Sequence, residues 1–110
     1  MAFKLQQSAT FKWPVEFEVP GDGRPLKGSF TGEFVRLPQS EIDAHASASE
    51  TDRDFVPHIL SGWSGVTDAD GVEVEYTPAN RARLLEVPGM ASVIVRTFFE
   101  ALAGSARRKN

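Results

Sequence analysis

Five apolar residues at every second position, Phe11, Trp13, Val15, Phe17 and Val19, alternate with Lys12, Pro14, Glu16 and Glu18. Successive side chains of a strand point to opposite faces, so this run has one apolar and one polar face and reads as a half-buried β-strand. Such a strand needs a hydrogen-bonding neighbour and a cover for its aromatic face. Pro14 stands on the polar face and has no N–H to give to a ladder, which predicts a sheet edge or a bulge there. Gly21-Asp22-Gly23-Arg24-Pro25 then supplies a residue able to take positive φ and a ring that ends regular pairing, the signature of a hairpin loop. The return segment, residues 26–37, puts Leu26, Gly28, Phe30, Gly32, Phe34 and Arg36 on one face, so the two aromatic faces meet across an antiparallel hairpin spanning residues 9–37. Gly28 and Gly32 are poor strand formers and mark bulges or places where rings from the opposite strand lie over the backbone.

Beyond the hairpin the signals change from alternation to helix caps. Pro38-Gln39-Ser40-Glu41-Ile42-Asp43 predicts a helix start with Ser40 as N-cap and acidic residues in the first turn. The small residues that follow at 44–49, with Ser47 and Ser49 competing for backbone bonds, predict a short or fraying helix. A second short helix is expected over residues 52–60, with Asp54 as its cap, Pro57 in its first turn and Gly62 as its end. Trp63, with Phe55, Ile59 and Leu60, is the candidate structural anchor of helix to sheet, because one Trp buries a large area at low entropic cost. Segments 64–67 and 72–76 flank the turn 68–71 as a smaller hairpin or an extended loop. Thr77-Pro78 is a hydroxyl cap followed by proline at the first helical position, and the helix over 79–86 is expected to turn Ala82, Leu84 and Leu85 inward.

Val87-Pro88-Gly89 breaks the chain before a last helix, Met90–Ala103, which Gly104 closes. Only Ser92, Arg96, Thr97 and Glu100 interrupt its apolar surface. A small domain cannot bury every side of such a helix against one sheet. Either Val95, Phe99 and Leu102 or Met90, Ile94 and Phe98 are therefore candidates to meet a partner chain, a second copy of this one included. The whole reads as one α+β domain over residues 1–110, an N-terminal antiparallel hairpin or small sheet packed on a helical C-terminal half, with flexible ends at 1–8 and 105–110.

Composition narrows the function. The chain has 41% hydrophobic and 25% charged residues, ordinary values for a globular domain. It has no cysteine, which excludes disulfides, a thiolate nucleophile and cysteine-ligated zinc or iron–sulfur centres. The net charge of −3 argues against a broad phosphate-binding surface; the basic run Arg107-Arg108-Lys109 is short, and nucleic acid is not an expected partner. The first ten residues lack the apolar run of a signal peptide, and no stretch is long enough to span a bilayer.

Motifs for chemistry are weak. Asp68-Ala69-Asp70-Gly71 has the local look of a calcium loop, but with Gly71 at the sixth position the first and twelfth fall on Val66 and Thr77, so both end ligands are missing. His45 and His58, the two histidines, have no partner at metal-binding or triad spacing. Glu16 with Glu18, and Glu73 with Glu75, are spaced to share a strand face, which is more simply a solvated face than an acid–base pair. No glycine-rich phosphate loop is present. Neither catalytic residues, nor a metal, nor a cofactor is expected.

One further pattern spans nearly the whole chain. An aromatic strand and a Pro-Gly-Asp-Gly turn lead to a strand ending near Phe34 and an acidic helical stretch; then come Leu60-x-Gly62-Trp63, Val66-x-Asp68-x-Asp70-Gly71, Tyr76-Thr77-Pro78-x-Asn80, Leu84-Leu85-x-x-Pro88-Gly89 and an aromatic helix ending in Ala101-x-Ala103. This order resembles the tail assembly chaperones of long-tailed, siphovirus-type bacteriophages and prophages, although residues 44–57 depart from the longer central helix of that group. The resemblance implies a non-catalytic protein of the host bacterial cytoplasm that binds the tape-measure protein, helps recruit the tail-tube protein and is absent from the mature virion. A structural virion component, such as a tail-terminator or connector subunit, is the alternative of a different class.

Overall fold

A computed structural model describes residues 2–104. The basic run at 107–109 and the flexible end expected at 105–110 lie outside the described residues.

The period-two segment and its return form β1 (Thr10–Pro20) and β2 (Pro25–Val35), paired antiparallel in unbroken register from Thr10 opposite Val35 to Pro20 opposite Pro25. The loop closes where the glycines are: the Gly21 amide donates to the Arg24 carbonyl at 2.7 Å, and Gly23 takes a φ of +74°. β1 is an edge strand with no bulge at Pro14, which stands opposite Thr31, so of the two expectations for that proline the edge is the one observed. The register puts Phe11 opposite Phe34, Val15 opposite Phe30 and Phe17 opposite Gly28. The Phe17 ring lies 2.7 Å from where a Cβ on Gly28 would stand, so that glycine is the floor under a ring and not a bulge.

The helical half differs from the sequence reading in three places. α1 (Gln39–Ser47) starts two residues early: Pro38 occupies the N-cap position, no side chain caps the helix, and Ser40 lies inside it. α2 (Asp52–Ile59) is capped by Thr51, whose hydroxyl accepts from the Asp54 amide at 3.1 Å while the Asp54 carboxylate accepts from the Thr51 amide at 3.4 Å. Asp54 is thus the reciprocal half of a capping box and not the cap, and Pro57 falls beyond the first turn. The third difference is a strand. The chain leaves α2 directly into β3 (Leu60–Ser64), which adds to β2 and makes the sheet three-stranded in the order β1-β2-β3.

β3 escapes a pattern search because its apolar residues, Leu60 and Trp63, are three apart. Odd spacing puts side chains on opposite faces of a regular strand. Here Leu60 pairs with Phe34, Gly62 with Glu33 and Trp63 with Gly32, leaving Ser61 as an extra residue, and the bulge returns both apolar side chains to the core face. Gly62 does not end a helix; it sits within this strand against the Glu33 carboxylate.

Residues 66–76 form the expected compact excursion. Thr67 and Glu73 make a single bridge, and the Asp68 carboxylate accepts from the amides of Asp70 (2.9 Å) and Val72 (3.0 Å), so it holds a turn. Two aromatic donors fasten the excursion to β3: Trp63 Nε1 donates to the Val74 carbonyl at 2.7 Å, and the Tyr76 hydroxyl donates to the Leu60 carbonyl. Thr77 caps α3 (Pro78–Leu85) as expected, accepting from the Asn80 amide at 3.0 Å. Leu85 is buried and Leu84 half-buried, but Ala82 faces solvent. α4 runs over Met90–Ala103 with Gly104 as its C-cap, the bounds expected from sequence.

The core lies between the sheet's aromatic face and α2 with α4. Phe34, Phe98, Ile59, Ile94, Val15, Val56 and Leu60 are fully buried there. Phe34 and Phe98 are 6.0 Å apart between ring centroids, and Phe11 stacks on both. Thr97, read as polar from the sequence, is buried as well; its hydroxyl donates to the Val93 carbonyl one turn back at 2.8 Å, which satisfies it.

Candidate functional site

Burial divides the candidate residues of α4 into two rows. Met90, Ile94 and Phe98 recur at four-residue spacing on the inner face and are at most 3% exposed, so they belong to the core. Val95, Phe99 and Leu102 occupy the neighbouring stripe. Phe99 is 41% and Leu102 43% exposed, while Val95 is half-buried. Of the two alternative rows, only the second is left at the surface to meet another chain.

Trp63 is half-buried on β3, its ring edge-on to Phe30 and to Tyr76, with centroids 6.4 and 4.9 Å away. It therefore fastens the third strand to the 66–76 excursion. The joint between helices and sheet falls on Phe34, Phe98 and Phe11 instead.

The outward row of α4 borders a groove of about 160 Å³ whose walls include Ile42 and Ala46 of α1, Phe55 of α2, and Val95 and Phe99. Phe99 lies nearly parallel to Phe55, 6.1 Å between centroids and 13° between planes. Mostly apolar side chains thus form a trough between three helices, open to solvent on one side. A second, larger cleft of about 680 Å³ separates the hairpin from α4 and is lined by charged residues: Glu16, Glu18, Lys27 and Arg96.

At the end of the groove the structure brings together three residues that no sequence spacing associates. His45 Nδ1 is 2.5 Å from Glu50 Oε2, His58 Nε2 is 3.8 Å from Glu50 Oε1, and the two imidazoles are 4.3 Å apart between centroids. His45 also packs on Phe55 at 5.3 Å. The spacing of 45, 50 and 58 matches no helical repeat because the three lie on α1, the connection and α2. Only the turn at 48–51 folds them together.

The family model described as YdaY prophage protein matches residues 39–110. The chain belongs to the YdaY prophage protein family. The matched segment begins at α1 and takes in β3, all four helices, the groove and the histidine cluster; the β1–β2 hairpin precedes it. The chain matches no curated protein and no solved structure. Membership makes this a prophage-derived protein. Among the described residues no helix is long and apolar enough to cross a membrane.

Proposed function

We propose that this chain is a tail assembly chaperone of its prophage: a non-catalytic protein that covers an apolar segment of the tape-measure protein and helps recruit the tail-tube protein. The observation that carries the reading is the outward row Val95, Phe99 and Leu102 beside the groove, where two large side chains stay more than 40% exposed although the core is otherwise closed. Apolar surface kept on a folded body is a binding surface by default. A partner helix with apolar residues at every third or fourth position fits a trough walled by helices, since its own stripe replaces the water over Phe99 and Leu102.

The net charge of −3 supports the same reading, because a body that carries an exposed apolar row stays dispersed when its copies repel one another. Prophage membership and the order of motifs from Trp63 to Ala103 agree with it. Such a chaperone acts in the host bacterial cytoplasm, needs no cofactor, and leaves before the virion is complete. Before the client is made, a second copy of the chain is the natural cover for the row.

Co-expression with the tape-measure gene of the same prophage tests this. The expected result is a soluble tape-measure protein that co-purifies with the chain, and purified particles free of it. A tape-measure protein that stays insoluble, with the chain present in particles, would overturn the proposal in favour of a structural virion component.

A further inference from the structure

The histidine cluster lies at the end of the groove, where His45 and Glu50 help to line it, and has a chemistry different from that of the apolar row. We propose that His45, Glu50 and His58 form a binding site for one divalent transition-metal ion of the zinc class. Two imidazoles and one carboxylate are a donor set that zinc takes readily, with three protein ligands and a fourth position left to water. One ligand atom from each residue lies within 4.8 Å of the others. Bonds of about 2.0–2.1 Å in a tetrahedron hold ligand atoms about 3.3 Å apart. His58 Nε2 and Glu50 Oε1, at 3.8 Å, are close to that spacing already, and His45 faces the other oxygen of the same carboxylate. His45 and Glu50, at 2.5 Å, are joined directly by a hydrogen bond, and binding replaces that bridging proton with the ion while the two atoms part by less than 1 Å.

The backbone shows how the three residues meet, at the residue that follows the C-cap of α1, where helices commonly end in the left-handed conformation. Ser49, between α1 and Glu50, has a φ of +57° and is the one residue other than glycine in the left-handed region among the described residues. A non-glycine residue held there is strained, and such strain persists where the surroundings impose it. Here it turns the chain so that Glu50 faces back between the two imidazoles. His45 and Glu50 are about one-fifth exposed and His58 about half, so the donors are sheltered yet reachable from solvent.

The ion's effect follows from where its ligands sit. α1 has no buried residue, and an ion held by His45 on α1 and His58 on α2 cross-links the two helices across the turn. It would fix α1 as a wall of the groove, and metal binding would appear as ordering of α1.

The test is a titration of zinc chloride into the full chain without a polyhistidine tag, followed by calorimetry and by amide hydrogen exchange. The expected result is one ion per chain at micromolar or tighter affinity, with slower exchange over residues 39–47. Glu50→Gln and His58→Ala, two changes at partly exposed positions, should each weaken binding at least about tenfold, the scale on which even supporting partners of a metal site act. Cobalt in place of zinc should give the visible absorption of a four-coordinate centre, lost in both variants. The absence of saturable binding, or variants that bind zinc as tightly as the unaltered chain, would overturn the proposal whatever becomes of the chaperone reading.

Discussion

α1 and α4 are the two extremes of this molecule. α4 buries Met90, Ile94, Thr97 and Phe98 and still has Phe99 and Leu102 left over at the surface. α1 buries nothing fully, and its one large aliphatic residue, Ile42, is half-buried at the edge of the groove. The groove exists because a helix with surplus apolar side chains stands beside one with too few to cover them. Helical stability in proteins comes mainly from packing of an apolar face, so α4 is fixed by the core and α1 by a few edge contacts and the histidine cluster. The two proposals divide along this contrast: the partner surface is placed on the helix with surplus apolar side chains, and the metal site involves the helix that buries none.

The sharpest way to break this comparison is to truncate each helix at its principal contact. Phe98→Ala removes a fully buried ring that meets Phe11, Phe34 and Phe55, and is expected to cost about 4 kcal/mol in chemical denaturation. Ile42→Ala on α1 should cost about 1 kcal/mol, since only part of its surface is removed from water. Equal losses would mean that α1 is as much a part of the core as α4.

Variants at Trp63, Thr51 and Ser40 probe the chain around and between the two helices. Trp63→Ala removes both edge contacts and the hydrogen bond to Val74, and is expected to cost about 3 kcal/mol, with the 66–76 excursion loosening before the helices in amide exchange. A loss below about 0.5 kcal/mol would mean that the excursion holds to β3 without it. Thr51→Ala opens the capping box of α2 and should cost about 1 kcal/mol, while Ser40→Ala, at an exposed position inside α1, should cost nothing or stabilise by a few tenths of a kcal/mol, because alanine is the better helix former. The reverse order would restore Ser40 as a cap.

The contrast also explains what the sequence disclosed. The hairpin and α4 were legible because each keeps one pattern over many residues: alternation from Phe11 to Val19, and a mostly apolar helix bounded by Gly89 and Gly104. β3 was not, because the bulge at Ser61 breaks the period that would announce it and Leu60 continues the pattern of α2. The cap of α2 shifted because Ser, Thr and Asp cluster from 49 to 54 and several can serve; Thr51 is the one that forms a reciprocal capping box, with Asp54, whereas α1 begins at Pro38 with no side-chain cap to announce it. The outward row of α4 was half legible. Sequence showed that the helix had too many apolar faces, but which row turned outward depended on the sheet and α2 taking the other. The histidine cluster carried no sequence signal, since three residues on different elements become neighbours only through the turn at Ser49.

α4 spends its inner row on the core, and its outer row is the proposed partner surface. The double variant Phe99→Ser with Leu102→Ser measures both at once, through denaturation of the chain alone and recovery of soluble tape-measure protein on co-expression. The predicted result is a stability loss of about 1 kcal/mol, set by the contact of Phe99 with Phe55, together with a tape-measure protein that no longer stays soluble. A variant that keeps the tape-measure protein soluble as well as the unaltered chain, or one that unfolds as Phe98→Ala does, would contradict the division of α4 into two working faces.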